Sequence, residues 1–148
     1  MEPLKLTEIL KDDVGRPRND GTRGSALYAV PIGLNRTPDS VEAQLLVRHW
    51  DSPPRFTTRH RPGILRVLDD RVILERTTID EVESCHAETL RFVIEQTNAA
   101  AATYRESQRK RADAQVRRDH EHDDHVREVA ARIQFKGAVL LGPRPPDQ

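Results

Sequence analysis

Apolar residues gather in a few stretches of the first hundred residues of this chain and then thin out. Leu4, Leu6, Ile9 and Leu10 open it as one short helical turn. Lys11 to Ser25 follows, with Gly15, Gly21, Gly24 and Pro17 among charged residues and Val14 alone as an apolar side chain. That is the composition of a flexible linker. Residues 1–25 are therefore expected to be a tethered segment whose end frays, as chain ends do. Ala26 to Leu34 is apolar and β-prone, and Pro31 within it points to an edge strand or an extended segment. Thr37-Pro38-Asp39 is a helix-start signal, a capping hydroxyl followed by proline at the first helical position. Val41, Leu45, Leu46 and Trp50 then recur at helical spacing, with a strand over Ala43 to His49 as the competing reading. Ser52-Pro53-Pro54 ends the element in either case.

Two turns organise the next stretch. Arg61-Pro62-Gly63-Ile64 has proline second and glycine third, the type II pattern, and Asp69-Asp70 marks a second tight turn. Two-residue loops at both set a register. Val67 faces Val72 and Leu65 faces Leu74, while His60 faces Leu65 and Thr58 faces Val67. One sheet face then carries Phe56, Thr58, His60, Leu65, Val67, Val72 and Leu74, and is the buried face. The other carries Arg59, Arg61, Arg66 and Arg71, with Ile64, Leu68 and Ile73 among them. A three-stranded meander follows.

Thr78-Ile79-Asp80-Glu81 is a capping box, and from there to Lys136 the chain has neither glycine nor proline. Ile79, Val82, His86, Leu90, Val93, Thr97, Ala101 and Tyr104 lie along one helical face. Between Arg105 and His125 only Ala112, Ala114 and Val116 are apolar, after which Val126, Val129, Ala130 and Ile133 resume a stripe. Gly137 is a natural C-cap. An unbroken helix from Ile79 to Phe135 is about 85 Å long, whereas a compact domain of this chain length has a radius of gyration of ~15 Å. Such a helix must stand in water, break (Thr97-Asn98 and the run near Asp119 are the weak points) or find another chain. The fold class read from these patterns is α+β, a small antiparallel sheet of three to four strands with one short helix, followed by a very long charged C-terminal helix. The segments are a flexible stretch over 1–25, a head over 26–104, a charged helix over 105–136 and a tail over 137–148.

Charge sharpens the picture of that helix. Arg105 to Arg118 holds six basic and two acidic residues, a net of +4, and Asp119, Glu121, Asp123 and Asp124 follow at −4. Glu106–Lys110, Asp113–Arg117, Asp123–Arg127 and Glu128–Arg132 are favourably oriented i,i+4 pairs, each contributing about 0.2–0.5 kcal/mol. Two such helices crossing antiparallel near Arg118 set each basic block beside the other's acidic block, with Val126, Val129 and Ile133 approaching Tyr104 and the alanine run.

Composition narrows the chemistry. The 148 residues carry no net formal charge, which excludes a uniformly basic or acidic coat. Cys85 is the single cysteine, so no internal disulfide forms and a reducing, cytoplasmic setting is expected. No apolar run approaches the length of a membrane span. His120-Glu121-His122-Asp123-Asp124-His125 puts two ligand types on each of two helix faces, an incomplete metal site, and reads as a solvated polar face. Glu83-x-x-His86 has di-iron spacing without the further carboxylates such a site needs, and His86 in the apolar stripe reads as a packed core histidine. Cys85 reads as a buried inert thiol. No phosphate loop or nucleophile elbow is present, so neither enzyme activity nor a cofactor is expected.

What remains is interaction. The expected function is a small interaction or adaptor protein that self-associates or docks on a larger protein through its long helix, with Tyr104, Val126, Val129 and Ile133 at the contact. The alternative is a nucleic-acid-associated regulator that uses Arg59, Arg61, Arg66, Arg71, Arg109, Lys110 and Arg111 on phosphates. Gly15-Arg16-Pro17-Arg18 resembles the core of a minor-groove AT-hook peptide, with Val14 where that motif carries a basic residue.

Overall fold

The computed structural model describes residues 1–53 and 59–135 of the chain. The chain divides into two compact units, Met1–Arg105 and Glu106–Gln148. In the first unit, β1 (Leu6–Ile9), β2 (Tyr28–Leu34), β3 (Leu65–Leu68) and β4 (Arg71–Thr77) form one antiparallel sheet in the order β1-β2-β4-β3. Its helices are α1 (Ser40–Asp51), the short α2 (Ile79–Glu81), a π turn (Val82–His86) and the first part of α3 (Ala87–Arg132). The α+β layout with a long C-terminal helix is the one the sequence pattern indicates.

The β3–β4 hairpin has the register that its turn dictates, with Leu65 opposite Leu74 and Val67 opposite Val72. Asp69 takes φ 52° there, a left-handed conformation that a short polar side chain tolerates. Gly63 takes φ 80°, as the third position of a type II turn demands. Of the expected first strand of the meander, Phe56 and Thr58 lie outside the described residues, while Arg59 and His60 belong to no strand and β3 is the edge of the described sheet, so the expected pairing of His60 with Leu65 is not formed. The other neighbour of β4 is β2, with Val30 opposite Leu74 and Ile32 opposite Val72.

Placing β2 inside the sheet corrects the edge position expected from Pro31. The proline survives there because its missing N–H faces the β1 side just past the end of that strand, opposite Leu10. The register shifts between Leu6 and Ile9, and the Pro31 carbonyl accepts the Leu10 N–H at 3.0 Å. Gly33 is required beside it, because a β-carbon at that position would sit 2.6 Å from the Thr7 hydroxyl.

Val30, Ile32, Leu34, Leu65, Val72 and Leu74 form the buried sheet face, and Leu46 and Trp50 of α1 join the same cluster with Leu90, Val93 and Ile94 of α3. The helical reading of residues 41–50 thus holds over the strand alternative, but its cap is Asp39 rather than Thr37. Asp39 accepts the Glu42 N–H at 2.8 Å while Glu42 accepts the Asp39 N–H at 3.0 Å, a capping box that the Thr-Pro pattern hid. Along the helical stripe, Val82, His86, Leu90, Val93, Thr97 and Ala101 are buried, whereas Ile79 and Tyr104 at its two ends are exposed.

The N-terminal segment is the largest departure from expectation. Leu4 is 1 % exposed. Its N–H donates to the Asn98 Oδ1 at 2.9 Å and its carbonyl accepts from the Asn98 Nδ2 at 3.0 Å, so a side chain on α3 imitates a neighbouring strand. Asn35 does the same from the other side, accepting the Lys5 N–H and donating to the Pro3 carbonyl. Residues 4–10 are therefore tied down and paired rather than frayed, and Asn98, a candidate break, is the tether. The linker is held too: the Gly15 N–H donates to the Ala29 carbonyl at 2.8 Å, and those of Arg18 and Asn19 donate to Ser25.

In the second unit the helix continues through Arg132 without a break near Asp119. From residue 106 to residue 135 no side chain is buried, and only Ala114 and Val129 are half-buried. Local pairs line its surface, though mostly not the expected ones. Glu106 pairs with Arg109 and Asp124 with Arg127 at i,i+3 spacing, and Glu128–Arg132 keeps the i,i+4 spacing at 3.8 Å. The proposed tail over 137–148 and the Gly137 cap lie outside the described residues.

Replacing Asn98 removes two hydrogen bonds and strands the Leu4 backbone. Asn98→Ala should destabilise the protein by about 1–3 kcal/mol in urea unfolding and speed hydrogen exchange at Leu4 and the strand that follows. Unchanged exchange there would show that the tether is not what orders the segment.

Candidate functional site

Two polar constellations in the first unit stand out, and neither is visible in the sequence pattern. The first is a charge staple. Glu42 is 0 % exposed although it begins a polar-looking stretch of α1. Arg36 holds its carboxylate from two nitrogens, at 2.7 and 2.6 Å, and Arg105 of α3 reaches the same carboxylate at 3.2 Å and Asp39 at 3.0 Å. The Arg36 hydrogen bonds, offset in part by burial, hold the Glu42 carboxyl at about 2, with the Asp39 N–H and Arg105 adding to the shift. Arg36 also donates to the Glu2 carbonyl at 2.7 Å. This cluster joins the N-terminal segment, the start of α1 and the end of the head portion of α3, which is structural work.

The second constellation surrounds Trp50, the one tryptophan of the chain. Its indole N–H donates to the Arg61 carbonyl at 2.9 Å, and the His60 Nε2 donates to the Trp50 carbonyl at 2.8 Å. The C-terminal turn of α1 and the 60–63 turn are thereby fastened to each other. The His60 ring lies 4.6 Å from the indole and His86 lies 5.4 Å from it, nearly edge-on. His86 is 0 % exposed, and neither of its ring nitrogens has a hydrogen-bond partner among the described residues. Its Nε2 is 3.7 Å from the Glu81 carboxylate. That carboxylate is already taken by Arg61, at 2.9 and 3.1 Å.

Local sequence explains the offset. Thr78 caps α2 by accepting the Glu81 N–H at 3.1 Å, but the Glu81 side chain turns away to Arg61 instead of closing the box. The π turn that follows carries His86 inward, and π turns are frequent where side chains are placed for a purpose. Burial lowers the His86 pKa below its ordinary 6.5, with His60 and Arg61 adding to the effect and Glu81 opposing it. Beside this core a cleft of about 620 Å³ is lined by Arg59, His60, Arg61, Asp80, Glu81 and Glu83. The cluster offers a neutral imidazole, a carboxylate and an indole in contact. It does not offer a metal site: no group of three or more His, Cys, Asp or Glu side chains able to hold a metal ion is found among the described residues.

The arginines singled out in the sequence do not form one open basic face. Arg59 and Arg61 border the cleft, while Arg66 and Arg71 occupy the outer sheet face opposite Ile73 and Leu68. Arg61 pairs with Glu81, Arg66 with Glu75 at 2.9 Å and Arg71 with Asp13 at 2.9 Å. Arg109 pairs with Glu106, and Lys110 and Arg111 are exposed beside it on the second unit. Tyr104 is exposed at the end of the first unit, and Val126 and Ile133 are exposed and Val129 half-buried on the second. His120, His122 and His125 are exposed, and Cys85 is half-buried rather than buried. Among the described residues no helix is long and apolar enough to cross a membrane. No family model matches the chain, and comparison with curated proteins and with solved structures likewise finds no match.

Two outcomes test these clusters. Glu42→Gln leaves two guanidinium groups facing an uncharged buried amide and should cost about 3–5 kcal/mol at neutral pH. Because the folded Glu42 pKa lies below its unfolded 4.5, its contribution is fully present above 4.5 and is lost as the pH falls towards about 2. Unfolding followed at pH values across that window should show the loss in the parent protein and not in the variant. The His86 limb lies higher. Its folded pKa is lowered, so the unfolded chain takes up the proton first and stability declines as the pH drops through 6.5. Urea unfolding followed by Trp50 emission should show that decline between about pH 7.5 and about pH 5. His86→Phe should flatten it, and an equal slope in both proteins would remove His86 from the account.

Proposed function

We propose that this chain is a non-enzymatic interaction protein of the reducing cytoplasm that self-associates through residues 106–135, two copies of the helix lying antiparallel. The observation that carries the reading is the absence of any buried side chain over those residues. Among the described residues, a helix of this composition gains no hydrophobic burial there. Helix propensity and ion pairs worth about 0.2–0.5 kcal/mol each hold it in water. A second copy supplies what is missing. Crossing near Arg118, it sets the basic block from Arg109 to Arg118 beside the acidic block from Asp119 to Asp124. Val116, Val126 and Ile133, each about half exposed, provide the apolar area to cover.

Nucleic-acid binding through Arg59, Arg61, Arg66, Arg71 and the 109–111 cluster is the competing reading. The carboxylates already on Arg61, Arg66 and Arg71 count against it, because a phosphate must displace or share each of them.

Sedimentation equilibrium at about 10 μM chain is the test. Twice the mass of one chain is expected at about 50 mM salt, with dissociation as screening grows towards about 500 mM. Arg109→Glu, Lys110→Glu and Arg111→Glu together should give monomer, and adding Asp123→Lys and Asp124→Lys should restore the dimer. A monomer at every salt concentration ends the self-association reading. Tight low-salt binding of duplex DNA by that monomer would favour the competing one.

A further inference from the structure

A second cleft, of about 510 Å³, borders the 60–63 turn, and its lining has an unusual composition. Arg23, Arg61 and Arg76 converge on it from three separate segments, the 18–25 loop, the type II turn and the end of β4. Leu27, Pro62 and Ile64 make its apolar wall, and among the described residues no acidic one lines it. Arg61 is already paired with Glu81, but Arg23 and Arg76 have no ion-pair partner among the described residues, although in this sequence, with as many acidic as basic residues, carboxylates were available to offset them. Elsewhere in this unit they are used in that way, at Arg36, Arg61, Arg66, Arg71 and Arg105. Arg61 is also held in place: Glu81 takes its Nε and Nη2, and its own carbonyl is fixed by the Trp50 indole. A guanidinium oriented in advance loses little freedom when it binds a planar or tetrahedral oxyanion, the partner its fork of donors fits best.

We infer that this cleft binds a small organic phosphate, the phosphate held by Arg23 and Arg76 beside the Arg61 guanidinium that Glu81 shares, and an apolar body resting on Leu27, Pro62 and Ile64. The volume lies within the range of small-ligand sites. The charge pattern selects for a dianion over a neutral or cationic ligand. The apolar wall selects for an ester over the free ion. The site is independent of the self-association surface, which uses none of these residues.

The probe is phenyl phosphate, titrated into the full-length protein and followed by backbone amide shifts, with inorganic phosphate and phenol as controls. Saturable shifts confined to residues near 23–27, 61–64 and 76 are expected, with phenyl phosphate binding more tightly than phosphate and phenol producing none. Arg23→Ala with Arg76→Ala should weaken binding by at least about tenfold. Both side chains are exposed, so the fold is retained. Equal affinity in the parent and this variant overturns the inference, as does an absence of shifts at millimolar phenyl phosphate. Phenyl phosphate and phosphate binding alike would remove the apolar wall from the site and overturn the ester preference. A single-stranded oligonucleotide that binds the same residues more tightly than phenyl phosphate would replace the small ligand with a nucleic acid and overturn it as well.

Discussion

Burying the Glu42 carboxylate is tolerable only because two guanidinium groups and a backbone N–H meet it, and that requirement draws together segments far apart in the chain. Arg36 lies six residues before it and Arg105 sixty-three residues after it, at the end of the first unit. An ionised carboxylate in an apolar interior without such partners costs several kcal/mol, so the folded state exists with all of them in place or not at all. Through Arg36 the constraint extends to the Glu2 backbone, and through Asp39 to the first turn of α1. Asn98 and Asn35 then complete the attachment of the N-terminal segment with side-chain amides that stand in for a strand. A small sheet with one edge made of four residues is stabilised here by polar clasps as much as by its core.

The second unit obeys a different balance. Nothing in residues 106–135 is buried, so the hydrophobic term that shapes the first unit is absent there. What replaces it is high helix propensity, the absence of glycine and proline, and a set of weak charge pairs whose partners are chosen locally. The pairs found differ from those expected because a long arginine reaches an acid at i−3 as easily as at i−4. Their identity matters little to the helix. Their sum, a basic block followed by an acidic one, matters to whatever covers it.

Reading the chain from its pattern succeeded where one local rule governs. The Asp69-Asp70 turn sets the β3–β4 register because a two-residue loop admits one pairing. The stripe from Val82 to Ala101 is buried because its period matches a helix. The same rules misplaced Pro31 and the first ten residues, since a polar linker and an inner-strand proline are decided by who lies beside them. The candidate site was legible only in parts. Trp50 and His86 were recognisable as core positions, but their meeting with His60 and Glu81 depends on a π turn and on Arg61 drawing Glu81 out of its capping box. Glu42 carried a usable signal that was missed, an Asp39-x-x-Glu42 capping box set within the weaker Thr-Pro motif.

By itself, then, the amino-acid order determined the types of α1, β3, β4 and the long helix, the hairpin register, the buried stripe and the solvated character of residues 106–132, because each follows from contacts between near neighbours in the chain. The tertiary structure alone decided which strand lies next to β4, why a glutamate is buried, and which arginines are neutralised. Those outcomes depend on side chains dozens of residues apart arriving at one place, and no local periodicity records that distance.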